Sequence, residues 1–156
     1  MKKILLLLFA PLVILSACSK KDAAPVDPVK QAATDEAAIK AYIAADTSIH
    51  ATRDPSGLYY QIIKPGTGSS PKASSTVTVN YTGKLLNGTV FQTSSISNTP
   101  LQSLIPGWII GIPYTNVGGR ILLIIPSGLG YGPNSPSSSI PANSVLVFTI
   151  DLIGFK

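Results

Sequence analysis

Thr76-Val77-Thr78-Val79-Asn80-Tyr81-Thr82-Gly83-Lys84-Leu85-Leu86-Asn87-Gly88-Thr89-Val90-Phe91 reads as two strands and the turn that joins them. Val77, Val79 and Tyr81 alternate with Thr76, Thr78, Asn80 and Thr82, the pattern of a strand with one buried face. Asn87-Gly88 marks a tight hairpin turn, and Thr89-Val90-Phe91 carries the chain back. To the N-terminal side, Leu58, Tyr60 and Ile62 alternate until Pro65-Gly66-Thr67-Gly68, a strong turn signal. To the C-terminal side, Ile121 to Ile125 is a continuous apolar run ended by Pro126. Leu146, Phe148, Ile150 and Leu152 then alternate with Val145, Val147, Thr149 and Asp151. Between the strands, Pro106-Gly107-Trp108-Ile109-Ile110 suits a short helix with proline in its first turn. The expected class is α+β, a mostly antiparallel sheet with one short internal helix, and not a βαβ repeat.

The chain ahead of Gly57 has a different character. None of the 13 glycines falls in residues 1–56, whereas ten alanines lie between Ala23 and Ala51. Lys2 and Lys3 precede an apolar run, Ile4 to Leu15, that is too short for the roughly 20 residues of a spanning helix. Residues 1–17 therefore read as a signal peptide. The run ends in Leu15-Ser16-Ala17-Cys18, which resembles the lipobox of bacterial lipoproteins; the alternative is a plain signal peptide with an incidental cysteine, or an uncleaved anchor. That resemblance implies an acylated Cys18 as the first mature residue and a tether to a lipid membrane, since two or more acyl chains give stable anchoring. Residues 18–33 read as a flexible tether reaching on the order of 20 Å. Residues 34–56 read as a helical extension. Thr34 is the expected N-cap, Asp35 and Glu36 favour the positive end of the helix dipole, and Ile39, Tyr42 and Ile43 form an apolar stripe. So short a helix must dock on something.

Composition excludes much chemistry. The 156 residues include one cysteine, one histidine, and Glu36 as the only glutamate among seven acidic residues. No disulfide framework or Cys/His zinc site can be assembled, and paired-carboxylate hydrolysis has few groups to draw on. His50 has no second histidine or carboxylate pair to work with and reads as an ordinary surface residue. Without residues 1–17 the balance is 10 basic against seven acidic residues, too weak for a nucleic-acid footprint. No metal, nucleotide or redox cofactor is implied.

The specific wording of residues 57–156 goes further. Val79-Asn80-Tyr81-Thr82-Gly83, Leu86-Asn87-Gly88-Thr89-Val90-Phe91, Leu104-Ile105-Pro106-Gly107-Trp108, Gly118-Gly119-Arg120, Ile125-Pro126, Tyr131-Gly132 and Ile140-Pro141-Ala142-Asn143-Ser144-Val145-Leu146-Val147-Phe148 follow in order. This domain resembles the FKBP-type peptidyl-prolyl cis/trans isomerases. With the lipobox and the alanine-rich helix, the whole looks like an exported lipoprotein of that family from Gram-negative bacteria. The resemblance implies a twisted antiparallel sheet wrapped around one short helix, with an aromatic pocket between them. Trp108 would be the pocket floor, Tyr81, Phe91 and Phe148 its walls, and Leu104 and Ile105 one edge. Tyr131 and Ile140 would come from the loop between the last two strands. The Ile105 N–H and the Tyr131 hydroxyl would bond carbonyls of a bound peptide. By pattern alone, Tyr81, Phe91 and Phe148 are core residues, and Trp108 is as readily a packing anchor.

Two departures from the family pattern bear on activity. Where the family usually reads FDSS, this chain has Phe91-Gln92-Thr93-Ser94. Gln92 retains a hydrogen-bonding group but loses the charge, which implies reduced activity or altered substrate choice and weaker binding of tacrolimus-type macrolides. The segment Thr93 to Ser103 is also shorter than usual, which implies a lower pocket wall. The leading expectation is an isomerase assisting proline-containing exported polypeptides, lipid-anchored in the bacterial envelope and facing the periplasm from the outer membrane. The alternatives are a binding or chaperone module with little turnover, and an accessory lipoprotein that docks through its helix. An exposed apolar stripe on that helix would favour the last.

Overall fold

The computed structural model describes residues 27–156. The signal-peptide and lipobox readings, Cys18 included, and the tether as far as residue 26 lie outside the described residues. The elements run α1 (Pro28–Ala45), β1 (Thr52–Arg53), β2 (Tyr59–Lys64), β3 (Thr76–Leu85), β4 (Val90–Pro100), α2 (Pro106–Gly111), β5 (Arg120–Ile125) and β6 (Leu146–Phe155). Six strands form one sheet in the order β1-β2-β5-β6-β3-β4, with every neighbouring pair antiparallel. The expected antiparallel sheet with a short internal helix is the fold observed.

Alternation along the strands divides the side chains between two faces. One is packed into the main core, and the other is covered by α1 mainly over β2, β5 and the start of β6, with polar residues over β3 and β4 left open. On one, Leu58, Val77, Val79, Ile121, Leu123, Ile125, Phe148, Ile150 and Leu152 pack with Trp108 and Ile112 into the main core. On the other, Tyr59, Leu122, Ile124, Val145 and Val147 pack with Ile39 of α1. This explains the unbroken apolar run in β5, whose last five residues are all buried. The Asn87-Gly88 turn forms as expected. The Gly88 N–H donates to the Leu85 carbonyl at 2.9 Å, and Gly88 takes the left-handed φ of 86° that returns the chain into β4.

Helix α2 lies unusually close to β5. A Cβ on Gly107 would stand 2.5 Å from the Ile125 side chain, and one on Gly111 would stand 2.6 Å from Leu123. These glycines, four apart on one helix face, let the backbone rest directly on the sheet and fix the depth of Trp108. Past the helix, Tyr114 stacks on Tyr60 with ring centroids 4.0 Å apart, and its hydroxyl donates to Asp54 at 2.6 Å.

Helix α1 departs from expectation at its start. It begins at Pro28, with Asp27 as the N-cap accepting from the Val29 N–H at 2.9 Å. An Asp-Pro pair is a strong initiation signal because aspartate satisfies free amides and proline presets the helical φ. Residues 28–33 are therefore helix rather than tether. Thr34 is no cap, since its hydroxyl donates back to the Lys30 carbonyl at 2.9 Å. Asp35 and Glu36 consequently sit mid-helix and face partners elsewhere. The stripe docks on the chain's own sheet. Ile39 is fully buried, with Tyr42 and Ile43 partly covered beside it.

Candidate active site

A cavity of about 220 Å³ opens between β3, β4, α2 and the turn after β5. Tyr81, Gln92, Ile96, Ser103, Leu104, Ile105, Trp108, Tyr131 and Phe148 line it. Its base is an aromatic cage. The Trp108 ring stands edge-on to Phe148 at 5.2 Å and to Tyr81 at 5.0 Å, and Tyr81 tilts against Phe148 at 6.1 Å. Such edge-to-face contacts stabilise aromatic clusters beyond their buried area. Trp108 is 4% exposed and Phe148 2%, so the floor is almost wholly shielded from solvent.

The register explains how β3 and β4 shape this wall. Gly83 pairs with Gln92 and Lys84 with Val90, which leaves Phe91 as the unpaired residue of a bulge. Gly83 also faces Phe148 across β6. A Cβ on Gly83 would lie 2.6 Å from the Phe91 ring and 2.7 Å from that of Phe148. The missing side chain therefore makes room for both rings.

Of the residues expected at the site, Tyr81, Gln92, Leu104, Ile105, Trp108, Tyr131 and Phe148 converge on the cavity. Phe91 and Ile140 do not line it. Phe91 stands edge-on behind Phe148 at 5.7 Å, and Ile140 is buried in the main core at 5% exposure. Phe91 supports the lining through Phe148, and Ile140 belongs to the packing of the main core. Ile96 and Ser103 line the cavity without having been expected there. Ile96 faces Val79 across the β3–β4 pair, on the same sheet face as Gln92. It is also the only large apolar residue between Gln92 and Thr99, so a period of two counted from Gln92 would have found it.

Polar atoms at the cavity are few. The Trp108 indole N–H is buried without a partner among the described residues. Within the same residues, neither the Ile105 N–H nor the hydroxyls of Tyr81 and Tyr131 make a hydrogen bond. Burial pushes the Tyr131 phenol above its usual range, reinforced by the neighbouring Tyr81. Tyr131 thus remains a neutral donor through neutral pH. The arrangement offers an apolar floor with unused donors at its margin. It can hold a small apolar ring while bonding carbonyls on either side; the one serine of the lining, Ser103, donates its hydroxyl to the Pro100 carbonyl at 2.7 Å.

The family model that matches is the FKBP-type peptidyl-prolyl cis-trans isomerase, over residues 67–153. The chain is 41% identical over 120 residues to the FKBP-type peptidyl-prolyl cis-trans isomerase FkpA of Aeromonas hydrophila, covering 74% of this chain and 44% of that protein. It is 42% identical over 106 residues to the outer membrane protein MIP of Legionella longbeachae, covering 65% of this chain and 46% of that protein. The crystal structure of FkpA from Escherichia coli superposes with a TM-score of 0.69 at 37% identity, covering 82% of this chain and 62% of that one. The chain spans about half the length of the curated relatives it matches. With more than half of its residues inside the family model, the chain belongs to the FKBP-type peptidyl-prolyl cis-trans isomerase family.

Proposed function

We propose that this chain is a peptidyl-prolyl cis/trans isomerase acting on proline-containing exported polypeptides. The observation that carries the reading is the Tyr81–Trp108–Phe148 cage with unused donors at its margin. Rotation about a peptide bond has a barrier of about 18–20 kcal/mol because the planar amide has partial double-bond character. Uncatalysed X–Pro isomerisation consequently takes about 10–100 s. In the twisted transition state that resonance is lost, and the amide is less polar than in its planar ground state. An apolar aromatic pocket favours the twisted form, so it binds the transition state better than the substrate. The Ile105 N–H and the Tyr131 hydroxyl hold the flanking carbonyls, which supplies orientation. The cavity volume of about 220 Å³ suits one small apolar ring such as proline, and Gln92 in place of a carboxylate at the rim supports weak macrolide binding.

Gln92 favours a second reading, a binding or chaperone module with little turnover. Its amide lies at the rim without a hydrogen-bond partner among the described residues, where the family usually carries aspartate. Isomerisation of an X–Pro peptide, followed by NMR exchange in wild type, Gln92→Asp and Tyr131→Phe, separates the two. The isomerase reading expects turnover in wild type, a rise in Gln92→Asp, and a fall of roughly tenfold in Tyr131→Phe from one lost hydrogen bond. Peptide binding with no rate enhancement in any variant would leave the binding module. The docked stripe of α1 argues against an accessory lipoprotein that uses this helix as its docking face.

The proposal extends to location. The basic start, the short apolar run and Leu15-Ser16-Ala17-Cys18 support a lipid anchor at Cys18 and residence in the bacterial envelope, facing the periplasm from the outer membrane. The MIP relative, an outer membrane protein by name, is consistent with an envelope setting. Palmitate labelling that vanishes in Cys18→Ala, together with recovery in the outer-membrane fraction, is the expected result. Unlabelled, freely released protein would refute the anchor.

A further inference from the structure

Asp35 is a buried carboxylate that the isomerase reading does not use. It lies mid-helix in α1 at 3% exposure. One carboxylate oxygen accepts the Ser127 N–H at 2.8 Å and the Ser127 hydroxyl at 2.6 Å, while the other accepts the Gln31 side-chain amide at 2.7 Å. Burying a carboxylate is costly unless hydrogen bonds compensate, and a helix docked on an apolar sheet face needs no carboxylate at this position.

Ser127 is the hub of the turn that carries Tyr131. Its carbonyl accepts the Gly130 N–H at 3.0 Å and the Gly132 N–H at 2.9 Å, the two amides that flank Tyr131. The Gly132 carbonyl in turn accepts the Asn143 N–H at 2.7 Å, which closes the loop ahead of β6. Beside the Asp35–Ser127 contact lies a groove of about 750 Å³, with Pro28 and Ala32 of α1 on one side and Leu129 and Pro133 on the other. Leu129 and Tyr131 anchor the turn on the main core, while the groove leaves open space on the side of α1, so the Asp35–Ser127 pair is the polar tie between the helix and the turn.

We propose that Asp35 is a positioning residue for Tyr131, and that α1 thereby sets the geometry of a pocket it does not touch. The chain of bonds runs from Asp35 to Ser127, from the Ser127 carbonyl to Gly130 and Gly132, and so to the Tyr131 ring at the cavity. The catalytic consequence rests on the isomerase reading; the structural one does not.

The test uses the full chain with Asp35→Leu, which keeps the bulk and removes the acceptor, and Asp35→Asn. Asparagine retains an oxygen for Ser127, and its amide can donate to Gln31 once that side chain rotates. Asp35→Leu is expected to speed amide hydrogen exchange at Gly130 and Gly132 by about tenfold or more. It lowers kcat/KM for the X–Pro peptide in the Tyr131 background and changes it little further once Tyr131→Phe is present, because both changes act through one hydroxyl. Asp35→Asn restores both readouts. Glu36→Gln, which loosens the same helix through other partners, leaves exchange at both glycines at the wild-type rate. Unchanged exchange in Asp35→Leu, or losses in kcat/KM that add fully across the Tyr131→Phe background, would overturn the proposal. Should Asp35→Leu fail to fold, Ser127→Ala removes one of the same bonds from the other end and must give the same signature. A wild type without turnover ends the isomerase reading, and the exchange rates at Gly130 and Gly132 then decide the positioning role alone.

Discussion

Gly83 illustrates how much of the pocket hangs on a single missing side chain. The Phe91 and Phe148 rings occupy the space a Cβ would need, and Phe148 in turn supports Trp108 edge-on. Gly83→Ala should destabilise the fold by about 1–3 kcal/mol, the usual cost of overpacking, and should weaken binding of an X–Pro peptide by displacing Phe148. Urea unfolding reads the first effect. Emission from Trp108, the only tryptophan, reads the second. An unchanged unfolding midpoint would mean that the rings can shift without loss. At this scale the site was legible in part. Tyr81, Trp108, Tyr131 and Phe148 are distinctive residue types inside recognisable motifs, whereas Phe91 sits behind Phe148 and Ile140 belongs to the main core. Alternation tells which face a residue points to but not how deep it lies, and the bulge at Phe91 breaks the alternation itself.

Among the elements, α1 carries the largest difference between expectation and structure. The low apolar content of residues 19–33 concealed the Asp27-Pro28 start, and a helix read as starting at Thr34 made Asp35 and Glu36 look like dipole partners. Three-dimensional placement gives them opposite duties. Asp35 turns toward Ser127. Glu36 accepts from the Tyr59 hydroxyl at 2.8 Å and from Arg53 Nε at 3.1 Å. Neither partner can be found from sequence, because the pairs lie 92 and 23 residues apart. The apolar stripe was legible, since the 3.6-residue period of Ile39, Tyr42 and Ile43 needs no tertiary information. Ile39 is the fully buried contact of that stripe, so Ile39→Ala should cost about 2–5 kcal/mol, as buried large-to-small changes do. A loss within the noise of the unfolding measurement would mean that α1 is held by its polar ties instead.

Over the whole molecule, the same polar pairs set the limits of stability at both ends of the pH scale. Burial would raise the Glu36 carboxyl, but hydrogen bonds from Tyr59, Arg53 and Lys40 outweigh it and hold the group below its usual range. Hydrogen bonds from the Ser56 and Tyr114 side chains do the same for Asp54. A carboxylate whose folded pKa is depressed contributes stability that is present above its unfolded pKa and lost as pH falls through the folded value. The phenols move the other way. Burial and then the bond to Glu36 raise Tyr59, and the bond to Asp54 raises Tyr114. Their contribution is complete below the ordinary phenol range near pH 10.0 and is lost as pH rises through the folded values. Stability should therefore form a plateau between about pH 5 and about pH 9, with an acid limb owed to the carboxylates and an alkaline limb owed to the phenols. Glu36→Gln should lower the plateau by about 1 kcal/mol and make the acid limb shallower, because one of its titrating groups is gone. Tyr59→Phe should make the alkaline limb shallower and leave Asp54 to titrate unchanged on the acid side. Urea midpoints measured from about pH 3 to about pH 11 give both limbs in one series. An acid limb equally steep in wild type and Glu36→Gln would show that the tie between α1 and β2 adds nothing to folding, and would leave Ile39 and its apolar neighbours as what holds the helix to the sheet.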